Sequence, residues 1–372
     1  MYTRYIFIFI ILSAVIALSE YVIFASFKSA GILKYLYVEK ILLVLAIILP
    51  LAFIFSMIYG SKHFTLLNSW LYTAGAIWFS ILVYMFFAGV VIALLIFFNS
   101  YFDFNLPIQS ISLLLIACAL ATTIYGIYNA NHPQIVRYEV TSPTLTPLWQ
   151  GKKIVIISDV HLGDIHREKF MQKIVNIINQ ENPDIVFNLG DLIDGTSFPY
   201  EKGFAPLSKL NPPLGNFYVE GNHERYSGEY DLFKSYFPKN LNDITGKKII
   251  INNTQIIGLP FITVGGEELS AEIQNELSLV GYDKTIPSII LMHDPKNTPI
   301  LADNNASLVL SGHTHAGQFF PFTLFIEKMY GKYTHGAIYT RDTASITSAG
   351  VGTAITPMRV GTIPEIIVLT IK

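Results

Sequence analysis

Apolar positions fill the first third of the chain almost without interruption. Runs at residues 5–27, 41–59, 70–98 and 106–128 have the length and polarity of membrane-crossing helices, for which about 20 residues suffice, and they predict four transmembrane helices. The third is longer than the hydrocarbon core and calls for tilt. The first follows Arg4 as a signal peptide follows a basic start, but its length and the three runs behind it predict a retained span. Past residue 130 the pattern changes. Residues 131–151 are polar, carry Pro133, Pro143 and Pro147, and suit a linker with an edge strand at 136–140.

Short branched runs then alternate with amphipathic stretches. Ile154, Val155, Ile156 and Ile157 form a continuous apolar run, as in a strand buried on both faces, which stops at Ser158-Asp159-Val160-His161. Residues 167–181 place Phe170, Ile174, Ile177 and Ile178 at helical spacing. Strands at 184–189 and 216–220 end in Gly190-Asp191 and in Gly221-Asn222-His223-Glu224. Strand, helix, strand in this order implies right-handed crossovers and a largely parallel sheet. Residues 247–259 predict a hairpin around Asn252-Asn253, and residues 267–280 a helix. Strands at 288–292 and 307–310 end in His293 and in Ser311-Gly312-His313-Thr314-His315. The Gly- and Thr-rich tail from Gly336, finishing at residues 365–371, is expected to supply strands of a second sheet.

Composition sharpens the division. Of the 52 charged side chains in 372 residues, 8 lie in residues 1–130, so the first third is built for lipid and the rest for water. A formal charge of −2 without a Lys/Arg block argues against a nucleic-acid surface. The single cysteine, Cys118, excludes an intrachain disulfide and a thiolate metal site. An even number of spans puts both termini on one face of the cell membrane. Lys28, Lys34 and Lys40 of the first loop stand against Arg4, Lys62 and Arg137, nearly a tie that tilts the polar C-terminal part to the extracytoplasmic side. Glu20, the ionisable residue well inside an apolar stretch, reads as a snorkelling side chain near a helix end.

The chemistry lies in five loops, each leaving a predicted strand: Asp159 with His161, Asp191, Asn222 with His223, His293, and His313 with His315. Strands side by side bring such loops to one patch. Oxygen and nitrogen donors without sulfur suit Mn, Fe or Zn. Two cations about 3.5–4 Å apart clamp the attacking and leaving oxygens of a phosphoryl displacement and make hydroxide available near neutral pH. Hydrolysis then needs no protein nucleophile. Asp164 and Asp194 could orient a ligand imidazole, but Asp194-Gly195 reads as a turn. His166 and Arg167 read as a solvated helix start, and Arg359 as a rim residue facing a phosphate or a surface carboxylate.

Ser158-Asp159-Val160-His161, Gly190-Asp191, Gly221-Asn222-His223-Glu224, His293 and Gly312-His313-Thr314-His315 resemble the five ordered motifs of the calcineurin-like metallophosphoesterases, over residues 152–372. The resemblance implies an α/β four-layer sandwich, two mixed β-sheets flanked by helices. It implies that Asp159, His161 and His315 hold one divalent metal ion and Asn222, His293 and His313 a second, with Asp191 as the bridge. His223 would be catalytic, stabilising the phosphoryl group and protonating the leaving oxygen. Ala316 stands where similar members often carry glycine, and the tail through Pro357, Met358 and Arg359 follows the family pattern only in part; both bear on substrate contacts. The expectation is a four-helix transmembrane region (1–130), a linker with an edge strand (131–151) and a metallophosphoesterase domain (152–372). This membrane-anchored dinuclear enzyme would hydrolyse phosphodiester, phosphomonoester or pyrophosphate bonds. Tethering favours a lipid-linked or cell-envelope phosphate substrate. The alternatives are a non-catalytic metal-binding scaffold or sensor, and a transporter with a regulatory metal domain.

Overall fold

The computed structural model describes residues 2–33, 36–60, 63–195 and 198–372, with side chains described from residue 14 onward except at 36 and 38. The chain divides into two compact units. The first holds the N-terminal helices, the second residues 129–354 and 358–372.

In the first unit the helices are α1 (Tyr2–Ser29), α2 (Leu36–Gly60), α3 (Leu66–Phe102) and α4 (Ile108–Ala130). Among the described residues three stretches are long and apolar enough to cross a membrane: Glu39–Gly60, Leu66–Phe102 and Ile108–Ala130. The span predicted at 5–27 falls within α1, much of whose side-chain detail lies outside the described residues, as do Lys34 and Lys62 of the charge balance. Ile41, Val44, Ile48, Leu51 and Phe55 stand exposed along α2. Such surfaces have a low free energy only in an apolar solvent. The 37 residues of α3 are about 55 Å long at 1.5 Å per residue, well beyond a core of about 30 Å, as the long third run predicts. Thr65 starts this helix by accepting from the Asn68 backbone N–H at 3.0 Å. Glu20 lies in the wall of an apolar cavity of about 710 Å³ with Ile23, Phe24, Leu45 and Trp78.

The second unit follows in the order β1 (Gln134–Val140), β2 (Lys153–Ile157), α5 (Glu168–Glu181), β3 (Ile185–Asn188), α6 (Tyr200–Phe204), β4 (Asn216–Tyr218), α7 (Asn222–Ser227), α8 (Tyr230–Lys234) and β5 (Leu241–Asp243). It continues with β6 (Lys247–Ile251), β7 (Thr254–Gly258), α9 (Glu268–Leu279), β8 (Ser288–Leu291), α10 (Thr298–Asp303), β9 (Leu308–Ser311), α11 (Phe322–Tyr330), β10 (Gly336–Thr340), β11 (Thr343–Thr347) and β12 (Glu365–Ile371). Two six-stranded sheets result, ordered β1-β12-β2-β3-β4-β5 and β10-β11-β9-β8-β7-β6. Both are mixed. In the first, β12 runs antiparallel to β2 while β2, β3, β4 and β5 are parallel.

Side-chain alternation stacks the layers. Ile154 and Ile156 of β2 join Phe187, Ile256, Leu291, Leu310 and Ile346 in a core between the sheets. Val155 and Ile157, on the other face of β2, pack with Met171, Ile174 and Ile178 of α5. On the far side Ile257, Ile290 and Val309 pack with Ile273 and Leu277 of α9. This is the expected helix, sheet, sheet, helix sandwich. The hairpin turns at Asn252 and Asn253, with φ of 49° and 57°, the left-handed pair a tight two-residue connection needs.

One expectation is corrected. β10 and β11 join the second sheet, but β12 lies in the first, between β1 and β2. Ile366 and Val368 face the α5 side and Ile367, Leu369 and Ile371 the core between the sheets. Apolar on both faces, β12 is suited to an interior position. Sequence periodicity marks it as a strand without naming its neighbour. Where residues 136–140 suggest an edge strand, β1 stands at the end of the first sheet and, among the described residues, pairs with β12, parallel, with Val136 opposite Ile367.

Candidate metal centre

The strand ends place the chemistry. The loop after β2 lies on the loop after β3 through backbone bonds from Asp159 N to Gly190 O and from His161 N to Asp191 O, both 3.0 Å. The loop after β9 is drawn in by His313 N donating to Asp159 Oδ2 at 3.0 Å and Gly312 N to His293 O at 2.9 Å. A Cβ at Gly312 would collide with Ser158 Oγ and Asp159 Oδ2, and one at Gly221 with Asp191 Oδ1. These two glycines are where the loops touch. Asp159, His161, Asp191, His313 and His315 all have left-handed φ, between 49° and 74°. Non-glycine residues adopt this region at a cost, and such strain gathers at functional sites.

All seven predicted ligands and His223 are brought together. Asp159, His161 and His315 form one group of converging donor atoms, and Asp191, His293 and His313 another. Asp191 Oδ2 lies 3.1 Å from His293 Nε2 and 3.8 Å from His161 Nε2, so it faces both groups. Asn222 Oδ1 is 3.1 Å from His293 Nε2. His161 Nε2 and His315 Nε2 face each other at 3.0 Å.

Residues of this kind fit cations. Asp159 Oδ1 is buried with no hydrogen-bond partner, an expensive state for a carboxylate unless something positive meets it. His293 donates from Nδ1 to Leu189 O at 2.7 Å and His161 Nδ1 faces Asp194 Oδ1 at 3.1 Å. Each bond sets the tautomer that leaves Nε2 free as a ligand. Burial lowers the His293 pKa, but Asp191 and Asp159 more than offset it and hold the ring up to about 10. A field that favours imidazolium so strongly favours any cation. Asp191 stays well below the usual carboxylate range although burial raises it, because His293, His223 and His161 surround it.

His223 stands at the open side. Its side chain is 30% exposed, Nε2 lies 4.0 Å from Asp191 Oδ2 and Nδ1 3.9 Å from Asp194 Oδ1. Its ring meets His161 edge to face at 4.6 Å. The main chain is fixed by His223 N donating to Asp191 Oδ1 at 2.9 Å.

Four expectations change. Asp194 is not merely a turn residue: it holds His161. Arg359 is fully buried rather than at a rim. Its Nη2 donates to Ala349 O at 2.7 Å and Gly352 O at 2.8 Å and meets His315 Nδ1 at 3.2 Å. His166 is buried, not a solvated helix start; it bonds Thr353 Oγ1 at 2.9 Å and stacks on Phe170 at 4.0 Å. Burial, with His161 and Arg359 nearby, pulls its pKa down to about 3, so the ring is neutral. Arg167, half-buried, turns its guanidinium back to Asp164 O at 2.9 Å. Two further residues join the site without a role read from the sequence: Glu224, inside a motif, and Phe261, outside all five. Glu224, fully buried, accepts from the backbone N–H of Asp191, Ile193 and Gly221 at 2.8–3.0 Å and so fixes the bridge position. Phe261 sets its ring against His293 and His313 at 6.1 and 6.0 Å.

A sequence model described as calcineurin-like phosphoesterase matches residues 152–317. An uncharacterized metallophosphoesterase of Campylobacter jejuni is 32% identical over 248 residues, 64% of this chain and 63% of that protein. A transmembrane protein with metallophosphoesterase domain from Danio rerio is 30% identical over 287 residues, 71% of this chain and 63% of that protein. An uncharacterized metallophosphoesterase of Aquifex aeolicus is 30% identical over 254 residues, 66% of this chain and 96% of that protein. The alignment thus spans less than two thirds of the first two relatives and nearly all of the third.

Proposed function

Because the chain belongs to the calcineurin-like metallophosphoesterase family, we propose that it is a membrane-anchored hydrolase of phosphodiester, phosphomonoester or pyrophosphate bonds. The observation that carries this reading is the placement of Asp191 Oδ2 toward both donor groups, 3.1 Å from His293 Nε2 and 3.8 Å from His161 Nε2. In this reading Asp159, His161 and His315 would hold one divalent ion and Asn222, His293 and His313 the other, with Asp191 shared between them. Bound there, such ions supply Lewis-acid charge to the phosphoryl oxygens and lower the pKa of water.

The protein's own groups do the rest. His223 Nε2 faces the centre and is the atom that hands a proton to the leaving oxygen, which contributes about 10²–10⁴-fold in such roles. Asp194 holds His161 in register, and Glu224 keeps the Asp191 backbone from shifting. Phe261 and Tyr330 wall the His313 side with rings at 6.0 and 6.1 Å, which limits water around the reacting phosphate. Residues 152–372 would be the hydrolase, 131–151 its linker and edge strand, and 1–130 a four-helix anchor. The anchor favours a substrate carried in or on the bilayer, on the extracytoplasmic side.

The test uses full-length protein in detergent, stripped with a chelator and reloaded with Mn²⁺. Turnover on bis(p-nitrophenyl) phosphate, p-nitrophenyl phosphate or pyrophosphate is expected, together with its loss in Asp191→Asn. Stoichiometric Mn²⁺ binding with no turnover on any of them would overturn the proposal in favour of a metal-binding scaffold. A reporter fused at the C-terminus reads the membrane face.

A further inference from the structure

A surface helix normally turns its apolar stripe, at i, i+3, i+4 and i+7, into the core. In α11 that stripe is Phe322, Phe325, Ile326 and Met329, and it points outward. Phe322, Phe325 and Met329 are 48%, 60% and 50% exposed, and Ile326 is half-buried. Leu324 beside them is 57% exposed. What ties the helix down is its other end and edge. Tyr330 is buried against the His313 ring, centroids 6.1 Å apart, and the Thr323 backbone packs so closely on Gly317 that a Cβ there would collide with it. The helix therefore presents an apolar ridge directly beside the loop that carries His313 and His315.

We propose that this ridge is a bilayer-contact surface: α11 lies in the lipid headgroup and upper acyl region and holds the mouth of the metal centre at the membrane. The inference rests on the reading of the site as a hydrolase of bilayer-carried phosphates and names how such a substrate reaches it. A bilayer is the occupant this chain always has at hand. Its apolar helices commit it to one, and only three residues, 131–133, separate the end of α4 at Ala130 from β1 at Gln134, a connection of about 3.5 Å per residue at most. The charges agree. Lys328 on the helix and Lys332 just after it are exposed, against one carboxylate, Glu327, the pattern of a basic-flanked interfacial helix facing anionic headgroups. Aromatic and aliphatic side chains on such a helix bury without spanning.

The experiment labels the full-length chain, with Cys118→Ser, at single cysteines introduced as Phe322→Cys, Phe325→Cys or Met329→Cys. Control cysteines go to Lys209→Cys and Leu279→Cys, one on each outer layer of the sandwich. Each labelled protein, carrying an environment-sensitive fluorophore, is placed in nanodiscs containing anionic lipid, with and without nitroxide-labelled acyl chains. At least twofold quenching is expected at the three α11 positions, with a blue-shifted emission, and little at the controls. Quenching no greater than at the controls overturns the proposal, as does copy-to-copy crosslinking through the cysteine at 325, which would give the ridge to a second chain. Turnover on bis(p-nitrophenyl) phosphate, measured in the same samples, separates this outcome from failure of the hydrolase reading. A chain that turns over with α11 in water is an enzyme without this contact. A chain with α11 in lipid and no turnover keeps the contact and loses the enzyme.

Discussion

Replacing Arg359 with methionine should destabilise the metal-site domain more than any surface charge change. The guanidinium is fully buried, and although burial pulls its pKa down to about 10, with Asp159 and Glu365 opposing, it is charged at neutral pH. Three of its bonds are short: Nε to Gly352 O at 3.0 Å, Nη2 to Gly352 O at 2.8 Å and Nη2 to Ala349 O at 2.7 Å. Methionine fills much of the volume but makes none of them, leaving two buried carbonyls without a donor. At about 1.5–3 kcal/mol for each bond to a charged group, discounted for non-additivity, the loss is about 3–6 kcal/mol. For a domain of this size that corresponds to a fall in Tm of about 6–24 °C. Arg359→Lys should recover little, since one ammonium cannot reproduce the planar fork. The assay is thermal unfolding of the full-length variants in the same detergent, followed by tyrosine and tryptophan fluorescence. A fall of less than about 3 °C for methionine, or full recovery by lysine, would refute the idea that this side chain clamps residues 349–352 and His315 together.

Other outcomes follow from the same geometry. Asp194→Ala removes the acceptor that orients His161 and should weaken Mn²⁺ affinity about 10–100-fold without unfolding, as read by calorimetric titration. His223→Ala should retain its metal content, measured by elemental analysis, while kcat on bis(p-nitrophenyl) phosphate falls about 10²-fold or more; unchanged kcat removes the proton-transfer role. Gly221→Ala drives a Cβ into Asp191 Oδ1 and should abolish metal retention even where the fold survives by circular dichroism. Asp243 gives a pH test away from the centre. Burial alone would raise its carboxyl, but bonds from Lys234 and Thr245 hold it below the ordinary 3.8. A lowered carboxylate contributes stability above its unfolded pKa, and that contribution disappears as pH falls through the folded value. Asp243→Asn should therefore be less stable than wild type at pH 7, with the gap closing below pH 3.8; a gap independent of pH would assign the effect to packing.

The sequence by itself determined the two solvents and the strand ends at which the candidate metal-binding side chains stand. Eight charges in the first 130 residues leave little choice but lipid. Continuous apolar runs that stop at Asp159, Asp191, Asn222, His293 and His313 mark strand ends, because a buried strand has no room for such groups before its end. These are local signals, carried by neighbours in the chain. What the tertiary structure alone decided is non-local. β12 reads as a strand in any context, yet its place between β1 and β2 depends on partners more than 200 residues away. Arg359 is an isolated charge in a polar-looking tail until Ala349, Gly352 and His315 close around it. Asp194 reads as a turn residue, but the fold points its carboxylate at His161 Nδ1. The α11 stripe is the converse case. Its periodicity is legible from Phe322 to Met329, and only the fold shows that the face it would ordinarily bury is turned outward.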